Sequence, residues 1–211
     1  MRIIVYVEGR SDKDGLEGLL KPLIDQKLQN GVSIKFFETM PGDRKESVLL
    51  KIPRRAVDIL RSEPDAIVVA MPDLYPYNKP FPHQTVEDLR AGIIKQFEHW
   101  RSHANADPRL VERFQVFCLK HDLEALVLAA HEALAARLNL ESVKQDWTIP
   151  VEDQNHDHPP KRIVETLFAD HDEKYVDTID APFILRLADY RIIAERCPQQ
   201  FKPFVEFLDS A

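Results

Sequence analysis

Arg2-Ile3-Ile4-Val5-Tyr6-Val7-Glu8-Gly9 begins the chain with an apolar, β-branched run that stops at a carboxylate and a glycine. A run with no polar alternation fits a strand buried on both faces, as in parallel sheets. Glu8 stands just past that strand, and Gly9 lets the backbone turn sharply and approach a ligand. The same kind of run recurs at 32–37, Ala66–Met71 and 114–119.

Helical patterns lie between these runs. From about Ser11, the residues Leu16, Leu19, Leu20, Leu23, Ile24 and Leu28 form one stripe, and Asn30-Gly31 is a stop signal. Ser11 and Asp12 are natural caps for this helix, and Asp12 is alternatively an outer carboxylate of a site. After the turn Pro41-Gly42-Asp43, Val48, Leu49, Ile52, Val57 and Leu60 mark helix over 44–61, which Pro53 should bend or split. A Pro- and Tyr-rich loop spans 72–82, and helical stripes follow over 86–100 and 123–138. Strand signals fade after about residue 140, where a polar loop at 150–160 precedes helical stretches at 161–168, 183–196 and 199–209. The alternation predicts an α/β fold: a Rossmann-like, mostly parallel sheet of about four strands flanked by helices over 1–140. Residues 141–211 are expected as a C-terminal helical extension on the same domain.

The chain has 211 residues, 44% hydrophobic and 30% charged, with a net charge of −7. It is long enough for a substantial core without disulfide staples. The acidic balance argues against a protein that coats nucleic acid passively. Cys118 and Cys197 make no paired-cysteine pattern. No apolar run approaches the roughly 20 residues of a membrane span, and the N-terminal run is too short for a signal peptide. A cytoplasmic location is the expectation. Arg44, Lys45, Lys51, Arg54, Arg55 and Arg61 form a local basic excess against Glu46 and Asp58. Arg44, Lys45, Arg54 and Arg55 are candidates to follow a phosphate backbone, with a solvated helix face as the alternative.

Ligands of open parallel sheets bind at the carboxyl ends of the strands. Three such ends carry acids here: Glu8, Asp73, and His121-Asp122-Leu123-Glu124. Carboxylates gathered there repel one another, and a hard cation, Mg²⁺ or Mn²⁺, relieves that repulsion. Glu8, Asp73 and Glu124 are therefore the candidate metal ligands. Each has a plainer role available: helix-end or salt-bridge partner for Glu8, turn former for Asp73, first-turn acid for Glu124. His156-Asp157-His158 is a weak transition-metal pattern. There is no Gly-rich phosphate loop, no Ser-His-Asp pattern and no helical His-Glu zinc motif.

Val5-Tyr6-Val7-Glu8-Gly9-Arg10-Ser11-Asp12 resembles the first motif of TOPRIM domains, the metal-binding fold of topoisomerases, primases and the nuclease halves of overcoming-lysogenization-defect proteins. The second TOPRIM motif is an Asp-x-Asp after a later strand; here the run Ile67 to Met71 leads to Pro72-Asp73-Leu74-Tyr75, with Tyr75 in the place of the second Asp. More narrowly, the chain resembles a TOPRIM-related bacterial family. Its matching segments are Asp73-Leu74-Tyr75, His121-Asp122-Leu123-Glu124-Ala125-Leu126, Pro159-Pro160-Lys161 and Cys197-Pro198-Gln199-Gln200-Phe201.

That resemblance implies a Mg²⁺-dependent nuclease in phage defence or DNA processing, with nucleic acid, foremost DNA, as substrate. Glu8 would be general base or metal ligand, Asp73 and Glu124 metal ligands, and Lys161 or Arg162 the stabiliser of transition-state charge. It also implies an SMC- or RecF-like ATPase partner; homo-oligomerisation stays open. The missing second Asp supports an alternative, an adaptor or sensor subunit that keeps the fold without cleavage. A phosphohydrolase acting on a small nucleotide is a third reading.

Overall fold

The structure, a computed structural model, describes residues 1–39, 44–75 and 82–211; of Arg44 only the backbone is described. The expected turn at Pro41-Gly42-Asp43 and the stretch 76–81 of the Pro- and Tyr-rich loop lie outside the described residues.

Four strands, β1 (Arg2–Val7), β2 (Ser33–Glu38), β3 (Ala66–Met71) and β4 (Phe114–Val116), form an all-parallel sheet in the order β2-β1-β3-β4. The α/β class and the four-stranded parallel sheet agree with the sequence. β1 and β3 are the central strands, and they are buried along nearly their whole length, which is why their sequences lack polar alternation. Val7 aligns with Glu38 on one side and with Met71 on the other. Three strands thus end at one level.

The helices are α1 (Arg10–Leu19), α2 (Lys21–Gln29), α3 (Arg44–Glu46), α4 (Ile52–Ser62), α5 (Val86–His103), α6 (Glu124–Ala129), α7 (His131–Arg137), α8 (Pro160–Ala169), α9 (Asp177–Leu187), α10 (Tyr190–Arg196) and α11 (Phe201–Ser210). Those after residue 140 confirm the helical C-terminal region. Several expected boundaries shift, each for a local reason. The first helix breaks at Leu20, next to Pro22, which lacks an N–H and sits in the first turn of α2. It also begins at Arg10, so Ser11 and Asp12 are first-turn residues rather than caps. Gly31 at φ +80° ends α2 region as expected.

Pro53 splits 44–61 by an unanticipated route. Ser47–Lys51 winds as a π-helical turn, and Pro53 falls in the first turn of α4, where no N–H is needed. The stretch 114–119 supplies only a three-residue strand, but it keeps following β3: Phe117 N–H donates to Ala70 O (3.1 Å) and Asp73 bridges Leu119 in parallel. The stretch expected as one helix over 183–196 is two, because Asp189 caps α10 by accepting from Arg191 N–H at 2.9 Å.

The chain divides into two compact units: residues 1–9 with 24–119, and residues 10–23 with 120–211. The first holds the sheet and a core in which Phe97 of α5 stacks on Phe114 of β4 at 4.5 Å between centroids. Thr85 and Asp88 form a reciprocal capping box at the start of α5. In the second unit α1 packs on α9. A Cβ at Gly15 would lie 2.8 Å from Leu123 and 3.1 Å from Leu185 side-chain atoms, so a larger residue there would push those leucine methyls aside.

Candidate functional site

From β1 the chain runs to β2 on one side of it, and from β2 it crosses to β3 on the other, so β1 and β3 flank the topological switch point of the sheet. A crevice opens at such a point beyond the carboxyl ends of the strands, and ligands of this architecture settle there. Glu8 follows β1 and Asp73 follows β3 by one residue beyond Met71-Pro72. The two meet: Asp73 N–H donates to Glu8 Oε1 at 3.0 Å. Thr39, at the end of β2, donates its hydroxyl to Glu8 O at 2.8 Å and its N–H to Val7 O at 3.1 Å. Glu8 is therefore held from both neighbouring strands, through its carboxylate and through its backbone. Both Glu8 and Asp73 are half-buried, within reach of solvent.

This donor set fits a hard cation of a particular kind. Mg²⁺ retains several waters and takes one or two carboxylates, completing its shell with substrate oxygens. Two acidic side chains at one strand edge meet that need. They do not make a closed cage, and among the described residues no three His, Cys, Asp or Glu side chains come together to hold an ion. Tyr75, two residues after Asp73, is half-buried.

Glu124 belongs to the second unit, in the first turn of α6, and is buried there. It accepts the Tyr175 hydroxyl at 2.9 Å. Asp122 lies two residues before it, close enough that the charge of Glu124 acts on its carboxyl. Asp122 Oδ1 is buried with no hydrogen-bond partner among the described residues. Burial, then the charge of Glu124, push Asp122 up to about 8, against the opposing pull of Lys161. Burial likewise raises Glu124, although Lys161 and the Tyr175 hydroxyl work the other way. Lys161 pairs with Asp177 at 3.0 Å. Burial would lower the Lys161 pKa, but the bond to Asp177 and the charges of Glu124 and Asp122 carry it upward. His121 is buried, and burial pushes its pKa down, towards the neutral ring.

This arrangement has a consequence for stability. A carboxyl whose folded pKa is raised holds a proton that the unfolded chain has lost, so its contribution is full below about pH 4. That contribution drains as pH climbs to about 8. In EDTA, urea unfolding of the wild type should weaken from pH 5 to pH 8, and Asp122→Asn should flatten the decline. A decline of equal slope in Asp122→Asn would remove Asp122 as its source.

Sequence reasoning pointed to Glu124 and Lys161 but missed Asp122, Tyr175 and Asp177 as their partners. Asp122 was open to detection, since it lies two residues before Glu124. Tyr175 lies 51 residues from Glu124 and Asp177 lies 16 from Lys161 along the chain, and no local pattern announces them. Arg162, next to Lys161 and exposed, lines a cavity described below.

The basic segment divides on folding. Lys45 is buried, and its ammonium donates to Leu74 O at 2.7 Å. Arg54 and Arg55 are exposed on α4, with Arg54 over the Trp100 ring (5.0 Å) and Arg55 over the Tyr6 ring (5.3 Å). Lys51 is exposed beside them, and Glu46 and Asp58 line the same hollow. No described helix is long and apolar enough to cross a membrane.

No curated protein matches the chain. Among solved structures it is similar to the C-terminal region of the Burkholderia pseudomallei OLD protein, at 14% identity and a TM-score of 0.48, over 99% of this chain and 97% of that one. The model of the family described as Domain of unknown function (DUF4276) matches residues 7–209, and the chain belongs to that family.

Proposed function

We propose that the protein is a divalent-metal-dependent phosphodiesterase of TOPRIM type, cleaving nucleic acid, foremost DNA. The observation that carries this reading is the meeting of Glu8 and Asp73 at the switch point of a parallel sheet, joined by the Asp73 N–H to Glu8 Oε1 bond. Glu8 and Asp73 would hold Mg²⁺ or Mn²⁺. When bound, such an ion neutralises phosphate charge and lowers the pKa of water.

Glu8 would accept a proton from an attacking water, and the Asp73 N–H that it accepts at 3.0 Å would steady the orientation of its carboxylate. Glu124 and Lys161 are the second unit's candidates, as metal ligand and as cation for developing negative charge. Plasmid and linear DNA incubated with Mg²⁺ or Mn²⁺, with and without an SMC- or RecF-like ATPase partner, test cleavage. Glu124→Gln and Lys161→Ala in the same assay report what the second unit contributes. Cleavage that survives in EDTA would end the proposal.

Arg54 and Arg55 would follow the phosphate backbone. Arg54→Ala with Arg55→Ala should weaken DNA binding alike across sequences and reduce the salt-dependence slope by about 1 for each residue. An unchanged slope in a fluorescence-anisotropy titration from low to moderate salt would assign both arginines to α4 packing alone.

Tyr75 favours a second reading, an adaptor or sensor of the same fold that binds a metal or a partner without cleaving. Mn²⁺ binding by calorimetry, with no turnover in the presence of the ATPase, would select it.

A further inference from the structure

Outside the carboxylate sites, the second unit contains a cavity of about 760 Å³, within the range of small-molecule pockets. Its apolar lining comes from Leu140, Trp147, Ile163 and Leu167. Arg162, Ile163, Thr166 and Leu167 line it from α8, and Asp170 from the residue that ends that helix. Lys161, one position before Arg162, instead pairs with Asp177. The Arg162 guanidinium has no ion-pair or hydrogen-bond partner among the described residues. The other charges on the rim are largely settled: Lys144 pairs with Asp146 at 2.7 Å. Asp170, the residue after α8, is eight residues from Arg162, about 12 Å at helical rise. A half-open hollow with an apolar side at Trp147, Ile163 and Leu167 and an unpaired, exposed guanidinium at its edge has the chemistry to hold a flat apolar body and an anionic group together.

We propose that this cavity binds a small aromatic or heteroaromatic compound carrying one anionic group, its body against Trp147, Ile163 and Leu167 and its charge on Arg162. The site does not depend on the phosphodiesterase reading, and its test reads binding rather than cleavage.

Trp100 and Trp147 are the two tryptophans of the chain, so a Trp100→Phe background leaves Trp147 as the sole indole reporter. Anilinonaphthalenesulfonate serves as the probe, with uncharged phenylnaphthylamine as its counterpart lacking the anion. The sulfonate should bind saturably, quench Trp147 emission and receive its excitation energy. Arg162→Ala should weaken the sulfonate about tenfold, the size of one lost charge-assisted bond. Arg162→Lys should keep most of the affinity, and phenylnaphthylamine should bind wild type and Arg162→Ala alike. Three outcomes overturn the proposal: no quenching of Trp147, sulfonate affinity unchanged in Arg162→Ala, or equal weakening of both probes.

Discussion

Glu8→Gln is expected to reduce divalent-ion-dependent DNA cleavage by more than about 100-fold, the upper end of the loss seen when only an outer-shell partner of a metal ligand is removed. Glutamine matches glutamate in size, and its amide oxygen can still accept the Asp73 N–H that now bonds to Glu8 Oε1 at 3.0 Å. The backbone of the strand edge should therefore stay in place while the negative charge goes. Asp73→Asn tests the other half of the pair in the same way. Two measurements separate the possibilities: kcat/KM on plasmid DNA, and the Mn²⁺ dissociation constant by calorimetry. Cleavage at the wild-type rate in Glu8→Gln would discard Glu8 as base and ligand. Equal Mn²⁺ affinity in wild type and both variants would discard the metal site, whatever the cleavage data show.

The largest stability effect is expected in the second unit, at Glu152. This carboxylate is buried and accepts three backbone N–H groups: Gln199 at 2.6 Å, Gln200 at 2.7 Å and Phe201 at 3.2 Å. These donors lead into α11: Phe201 is its first residue and Gln200 its N-cap, which supplies no side-chain cap of its own. A negative charge at that end also complements the helix dipole. Glu152→Ala strands these donors, each at a cost of about 1–3 kcal/mol when buried, softened where water enters the space left behind. A total of about 3 kcal/mol should lower Tm by roughly 6–12 °C for a chain of this size. A shift under about 2 °C in thermal unfolding would show that α11 does not rely on this cap. Lys120, which bonds to Asp153 at 2.8 Å and to Gln199 at 3.3 Å, secures the same junction from the surface. Exposed pairs of that kind contribute little on their own, so Lys120→Ala should move Tm far less.

Some of this was legible before any coordinates. The unbroken apolar runs at 2–7 and 66–71 could be comfortable only inside a sheet covered on both faces, and those strands became its centre. Asn30-Gly31 signalled its helix end through backbone preferences that act within a few residues. Boundaries that shifted involve proline and alternative helical windings. Pro53 was visible, but the π-helical turn at Ser47–Lys51 that moves it into a first helical turn depends on what Val48 and Leu49 bury.

Local sequence determined the strands, most helices and the acids waiting at strand ends, because hydrophobic period, capping and turn chemistry operate over a few neighbouring residues. Tertiary structure alone decided which partners those acids obtained. It bonded Asp73 to Glu8 across 65 positions, set Tyr175 and Lys161 around Glu124, turned Lys45 inward to a carbonyl, and left Arg162 lining a cavity. Charge and burial are properties of a neighbourhood in space, and residues distant along the chain build that neighbourhood only when it folds.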